Sequence, residues 1–204
     1  MITIVNYGSG NIQAIGNIYK RLNIEFAVAD TINTLGSATK LILPGVGAFD
    51  KTMKQLVDSG MKTKLDYLVL ERNVPVLGIC VGMQILADGS EEGELPGLGW
   101  IAGKVKKFDI SKFKHKPHVP HMGWNSVKPA MEHPLFRNMD EQQGFYFLHS
   151  YYFECSNSRN ILSTTEYGDM FASAVYRENI FGTQFHPEKS HHNGIQLLKN
   201  YAEM

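Results

Sequence analysis

Three short segments carry side chains that could do chemistry together. The first is Leu77-Gly78-Ile79-Cys80-Val81-Gly82-Met83-Gln84. An apolar run ends in Gly-x-Cys-x-Gly and then opens toward a helix, which is the form of a nucleophile elbow. Such a turn holds the central side chain up at the end of a strand, and its glycines let neighbouring backbone come close. A cysteine at a helix N-terminus also meets the positive end of the dipole, which favours thiolate. The second segment is Thr183-Gln184-Phe185-His186-Pro187-Glu188. Pro187 biases His186 toward an extended conformation, and residues two apart on an extended chain point the same way. His186 can then act as base for Cys80, with Glu188 orienting the ring. The third is Pro44-Gly45-Val46-Gly47. Thiolate attack on an amide carbonyl builds charge on oxygen, and backbone N–H groups must meet it. The amide of Val81 is one natural donor, and the other could come from this segment, where two glycines allow a peptide to turn its N–H inward. Each segment alone also has a plainer reading: a buried inert cysteine, a strand-end histidine beside a surface carboxylate, a glycine turn.

These groups need elements to hold them. Met1–Asn6 is a β-branched apolar run, and Glu25–Asp30, Lys40–Leu43 and Val74–Ile79 read as further strands. Between them, Ile12, Ile15, Ile18, Tyr19 and Leu22 mark one helical face, as do Met61, Leu65, Leu68 and Val69. Val81–Ala87 can start another helix. Alternation of this kind predicts a parallel sheet with helices on both faces. From Leu98 the texture changes to short aromatic and β-branched runs separated by turns: residues 103–108, 123–127, 144–148, 150–155, 171–176 and 179–185. This half is expected to be strand-rich, with antiparallel pairs. Ile195, Leu198, Tyr201 and Ala202 suggest a closing helix. No repeat, low-complexity tract or linker divides the 204 residues, so the chain reads as one α/β domain.

Composition narrows the function. The chain has 20 Lys and Arg against 20 Asp and Glu, a formal charge of zero, which argues against general nucleic-acid binding. No apolar run approaches the ~18–20 residues that span a bilayer, and the N-terminus reads as a strand rather than a signal peptide. Two cysteines, Cys80 and Cys155, exclude a disulfide framework and favour a reducing, cytoplasmic setting. The basic cluster Lys104, Lys106, Lys107, Lys112, Lys114 and Lys116 reads as a solvated hairpin face; docking of an anionic partner is the lesser reading. Tyr7-Gly8-Ser9-Gly10-Asn11, with Asp30 some twenty residues on, invites a dinucleotide-binding reading. The third glycine of that fingerprint would fall at Gln13, which is expected to obstruct close helix–sheet packing. A tight turn, or one facing another protein, is the better account. Adjacent His191 and His192 are poor evidence for metal. No metal and no cofactor is expected.

At this point the residues resemble a known family. Gly78–Gln84 with the distant His186-Pro187-Glu188 is similar to the class I, triad-type glutamine amidotransferases. Residues 6–11, 44–49, 90–93, 96–100, 120–125, 148–153 and 184–190 resemble, more closely, the glutaminase subunits of imidazole glycerol phosphate synthases. The resemblance implies a flavodoxin-like amidotransferase domain over residues 1–204, with a mainly parallel central sheet flanked by helices and added antiparallel strands in the C-terminal half. It implies that Cys80 attacks the carboxamide of L-glutamine, that His186 and Glu188 serve it, and that Val46, Gly47 and Val81 provide the oxyanion donors. Glutamine would be held by Gly45, Gln84 and Glu92 and by the backbone around His149, Ser150 and Tyr151. Ammonia would pass to a (β/α)8-barrel synthase that makes imidazole glycerol phosphate and aminoimidazole carboxamide ribotide in histidine biosynthesis. Asn11, Met122, Trp124, Tyr146 and Lys189 would face that partner in a heterodimer. The partner's ligand would switch on the glutaminase by turning the peptide near Val46.

Some positions depart from the commoner pattern: Val81 stands where leucine is usual, and His191-His192-Asn193 follow Ser190. These resemble paralogues of surface-polysaccharide gene clusters, which feed ammonia to a sugar-modifying amidotransferase; that destination stays open. Two rivals come from other classes. A cysteine peptidase would not need Gln84 or Glu92, and a non-catalytic regulatory subunit would not need Cys80, His186 and Glu188.

Overall fold

The computed structural model describes residues 1–112, 119–140 and 142–204. Lys114 and Lys116 of the basic cluster lie outside them. In chain order the strands are β1 (Ile2–Val5), β2 (Phe26–Ala29), β3 (Leu41–Gly45), β4 (Val76–Cys80), β5 (Gly89–Ser90), β6 (Gly103–Lys107), β7 (His121–Asn125), β8 (Lys128–Pro129), β9 (Phe145–His149), β10 (Tyr151–Cys155), β11 (Ile161–Tyr167), β12 (Asp169–Arg177) and β13 (Ile180–Thr183). The α-helices are α1 (Ile12–Arg21), α2 (Ile32–Leu35), α3 (Phe49–Asp58), α4 (Lys62–Asp66), α5 (Val81–Gln84) and α6 (His191–Glu203). A π-helical turn, Tyr67–Glu71, continues α4.

Strands β2, β1, β3, β4 and β13 are parallel neighbours in that order. This is the 2-1-3-4-5 arrangement of flavodoxin-like folds, whose ligand sites lie beyond the carboxyl ends of the strands. Every residue of β1, β3, β4 and β13 is buried, as in a parallel sheet covered on both faces. The same sheet then continues through β12, β10, β6 and β5, with β11 and β8 branching off β12. All of these pairs are antiparallel except β5 with β6. A separate antiparallel pair, β7 with β9, stands beside the carboxyl ends. Among the described residues no helix is long and apolar enough to cross a membrane.

The expected α/β alternation and the strand-rich second half are both present. Four differences have physical reasons. Residues 179–185, expected in the antiparallel half, supply the fifth parallel strand instead: β13 pairs parallel with β4 on one side and antiparallel with β12 on the other. The helix expected over 81–87 stops at Gln84, because the carbonyls of Ile85, Leu86 and Ala87 accept amides from Leu98, Ile101 and Gly99 rather than from a next turn. Helix α3 is not read from the sequence, although Phe49, Thr52, Met53 and Leu56 bury one face of it at helical spacing. It begins right after a glycine turn and lacks a side-chain cap, so the usual start signal is missing. Finally, Gln13 does not obstruct packing: it is exposed, and the close helix–strand approach falls at Gly16, where a Cβ would lie 2.9 Å from Phe26.

The tightest approach in the sheet positions the elbow. A Cβ on Gly82 would lie 1.9 Å from the carbonyl oxygen of Leu43 on β3. That neighbour is backbone in a central strand and cannot step aside. Gly82→Ala is therefore expected to cost about 1–3 kcal/mol or more and to lower the melting temperature by about 5–10 °C. A thermal melt followed by circular dichroism checks this; an unchanged midpoint would count against the packing described.

Candidate active site

Cys80 is the last residue of β4 and stands immediately before α5. Its backbone sits at φ 55 and ψ −113, a region L-residues seldom adopt and one that clusters at functional sites. The side chain is 4% exposed. Register brings Thr183 of β13 level with Ile79 of β4, so the chain leaving β13 carries His186 to the elbow. The amide of His186 donates to the carbonyl of Tyr146 at 2.9 Å. Ser190 Oγ locks the return, donating to the His186 carbonyl at 2.6 Å and accepting the Tyr146 amide at 2.9 Å.

His186 Nδ1 lies 2.9 Å from Glu188 Oε1, and both side chains are buried. Glu188 Oε2 has no hydrogen-bond partner among the described residues, so the directed contact of this carboxylate is with the ring. Burial lowers the pKa of His186. The charge of Cys80, a hydrogen bond to Cys80 and the Glu188 carboxylate outweigh it and push the ring up to about 10. The arrangement favours an imidazolium between two acidic groups. At the second cysteine, burial first, then the charge of Glu154, push the half-buried Cys155 thiol up to about 12, away from the reactive thiolate form.

A cleft of about 440 Å³ opens over Cys80, lined by Val46, Gly47, Val81, Gln84, Glu92, Pro120, Leu148, His149, Ser150, Tyr151, His186 and Lys189. A larger groove of about 670 Å³ runs along Pro129–Arg137, but it holds no nucleophile, so the chemistry belongs to the smaller cleft. Of the residues expected to hold glutamine, only Gly45 is not in this lining. It lies behind it, where a Cβ would be 2.4 Å from the Gly82 nitrogen. Gln84 is buried, and its Nε2 donates to the Tyr151 carbonyl and to Gln184 Oε1, each at 3.0 Å. Glu92 Oε2 accepts the amide of Phe49 at 2.8 Å, a carboxylate at the N-terminus of α3.

The expected oxyanion peptide has a definite orientation. The Val46 amide donates to Ser9 Oγ at 3.0 Å, and the same hydroxyl contacts the Val46 carbonyl at 3.2 Å. In this conformation the Val46 amide is engaged by Ser9 and does not serve an oxyanion. Gly47, at φ +94 with open space around its Cα, is where the chain is free to turn.

The expected partner-facing residues gather largely on one surface. Met122 and Trp124 of β7 are 66% and 49% exposed. They pair in register with Leu148 and Tyr146 of β9. The Trp124 ring stacks on His191 with centroids 5.2 Å apart, and Lys189 Nζ lies 5.7 Å from the centre of the Tyr146 ring. Asn11 is exposed at the start of α1, accepting the Ala14 amide at 3.4 Å. Two residues at the site were not singled out from sequence. Gln184 Nε2 reaches Cys80 Sγ at 3.8 Å, and Ser9 holds Val46. The same two-residue spacing that links His186 to Glu188 would have found Gln184.

With this geometry in place, comparison with known proteins decides the family. The model for "Glutamine amidotransferase class-I" matches residues 3–203. Imidazole glycerol phosphate synthase subunit HisH of Bdellovibrio bacteriovorus is 53% identical over 204 residues, spanning 100% of both chains. The protein of the same name from Leptospira interrogans is 50% identical, again over 100% of both. The chain belongs to the class I glutamine amidotransferases, and within them to the HisH family. A solved glutamine amidotransferase structure has the same fold, with a TM-score of 0.73 at 19% identity, covering 100% of this chain and 99% of that one. The overall arrangement of sheet and helices in this amidotransferase is therefore a known fold.

In the amidotransferase, Glu188→Gln removes the carboxylate that raises His186. The ring's titration midpoint is expected to fall, with imidazole nitrogen shifts in NMR as the measurement. A midpoint unmoved by the substitution would mean that Glu188 does not govern the ring.

Proposed function

We propose that the protein hydrolyses L-glutamine to glutamate and ammonia and passes the ammonia to a (β/α)8-barrel synthase subunit, with which it forms a heterodimer. The observation that carries this reading is the alignment of Cys80, His186 and Glu188 at the carboxyl end of the parallel sheet, over a cleft lined by Gln84 and the His149–Tyr151 backbone. In the proposed cycle the Cys80 thiolate attacks the carboxamide carbon. The oxyanion is met by backbone amides, with Val81 next to the nucleophile. His186, protonated and oriented by Glu188, gives its proton to the departing ammonia, leaving a γ-glutamyl thioester. Water, deprotonated by the now neutral His186, cleaves the thioester to glutamate and returns the thiol. Gln84 and the backbone at His149, Ser150 and Tyr151 hold the substrate, and Glu92 meets its ammonium end. Gly45 acts from behind by letting the elbow close on β3. A thiol nucleophile of this kind suits the reducing cytoplasm.

Val46 fits a regulated donor. While Ser9 holds its amide, one oxyanion donor is missing, which costs roughly 3–4 kcal/mol, or 10²–10³ in rate. Turning that peptide about Gly47 completes the set, and partner binding is the proposed trigger. The apolar face of Met122, Trp124, Tyr146 and Leu148 beside the cleft, with Lys189 and Asn11 near it, has the aromatic and methionine character of an interface core. The HisH relatives are named as subunits of imidazole glycerol phosphate synthase. This supports histidine biosynthesis as the destination, with imidazole glycerol phosphate and aminoimidazole carboxamide ribotide as the synthase's products. Residues 1–204 then act as one amidotransferase domain.

Glutamate release is the direct test. Adding a histidine-pathway barrel synthase and its nucleotide ligand should stimulate it strongly; no stimulation by a demonstrably active synthase would redirect the ammonia toward a sugar-modifying amidotransferase. Cys80→Ala should abolish release while the complex still forms in a pull-down, and residual hydrolysis at the wild-type rate would remove the nucleophile. Trp124→Ala should weaken the complex by about 2 kcal/mol, read by calorimetry; unchanged affinity would end its interface role.

A further inference from the structure

A line of buried hydrogen bonds leads from β7 to the glutamine cleft, and its protons can be assigned without choice. The Tyr151 carbonyl only accepts, so His149 Nδ1 donates to it, at 2.8 Å. A neutral His149 then presents Nε2 as an acceptor, and His121 Nδ1 donates to it at 3.0 Å. That leaves His121 Nε2 as an acceptor, filled by Asn125 Nδ2 at 3.2 Å. Asn125 Nδ2 is itself held by the Glu166 carbonyl at 3.0 Å. Burial lowers both rings, His121 to about 4 and His149 to about 3, in keeping with two neutral imidazoles. The His121 ring is clamped between aromatic faces, with Tyr167 stacked at 3.9 Å and Phe147 at 4.6 Å between centroids.

At the far end the line enters the cleft. The Tyr151 carbonyl takes a second hydrogen bond from Gln84 Nε2, and Gln84 also donates to Gln184, whose Nε2 reaches Cys80 Sγ. The carbonyl is thus pinned from both sides, by His149 and by the carboxamide of Gln84. Strand alternation adds a second consequence. On β7, His121 points inward while its neighbours Met122 and Trp124 point out to solvent. A shift of β7 moves both sets at once.

We infer that His121 is a positioning residue: through His149 it fixes the Tyr151 carbonyl and the Gln84 carboxamide for glutamine, and it ties the glutamine cleft to the outward face of β7. This rests on the glutaminase reading. His121 touches neither Cys80 nor the expected substrate; it acts by keeping an acceptor nitrogen of His149 satisfied. Removing the donor leaves that nitrogen buried and unpaired, and His149 is then free to turn.

The test uses the full-length chain and reads binding without needing turnover. Iodoacetamide labels Cys80, followed on its own peptide by mass spectrometry, and glutamine protects it. His121→Phe keeps the aromatic sandwich and deletes the hydrogen bond. It is expected to raise the half-protecting glutamine concentration about tenfold, with the labelling rate in the absence of glutamine close to wild type. His121→Asn, whose Nδ2 stands near the place of Nδ1, should restore most of the protection. Equal protection of wild type and His121→Phe would overturn the inference. So would a change limited to melting temperature and basal labelling, which is what a purely structural role produces, or an Asn variant no better than Phe. If His121→Phe does not fold, Asn125→Ala carries the test from the outer end: glutamine protection weakened by about two- to fivefold supports the line, and unchanged protection overturns it. Wild-type Cys80 that glutamine fails to protect at any concentration would instead sink the glutaminase reading, and this inference with it.

Discussion

The structure depends on one backbone contact, the approach of Gly82 to the Leu43 carbonyl. It lets the turn after β4 lie directly on β3, and that turn holds Cys80 at a positive φ. Strained backbone of this sort costs about 1–3 kcal/mol. The cost is offset by the strands on either side, in which every residue is buried. Each Leu or Ile side chain so covered contributes about 1.5–3 kcal/mol. Cys80 is therefore held among fully buried strands, while His186 and the His149–Tyr151 segment arrive from the ends of β13 and β9. Gly45 is small for the same reason as Gly82: a Cβ there would lie 2.4 Å from the Gly82 nitrogen.

Among the described residues, three buried histidines lie in or beside the cleft, and their surroundings drive their pKa values apart. His186 faces Cys80 and the Glu188 carboxylate, and these outweigh burial and raise it. His149 and His121 face each other, a carbonyl and a carboxamide, and burial lowers them. One environment favours a charged ring and the other favours two neutral ones, a division set by the surroundings alone. The neutral pair gains a fixed direction of hydrogen bonding, which a charged pair could not have.

The two-stranded sheet of β7 and β9 joins the inside of the molecule to its surface. Its inner face carries His121, Phe147 and His149, and its outer face carries Met122, Trp124, Tyr146 and Leu148. Because strand side chains alternate, a partner gripping the outer face acts on the same backbone that orients the inner one. The Val46 peptide is a separate element on the other side of the cleft, held by Ser9 rather than by this sheet. Two walls of one cleft are thus held by different elements.

Much of this was legible in the residues. Gly-x-Cys-x-Gly at a strand end suggested the elbow but by itself fitted a buried cysteine as well; His186 with Glu188, read from the torsional bias of Pro187 and a period of two, tipped the balance. Local periodicity also determined the first four parallel strands and helix α1. What only the tertiary structure decided is which segments meet. Residues 179–185 became the fifth parallel strand because β4 had an open edge for them, and no local pattern distinguishes that edge from an antiparallel one. His121 had no role assigned from sequence; packing turned it inward against His149, twenty-eight positions away. Ser9 took hold of Val46 across thirty-seven. Spacing along a chain records which side chains share a face of one element. Contacts between elements come from burying those faces together, and a single sequence does not contain their arrangement in local form.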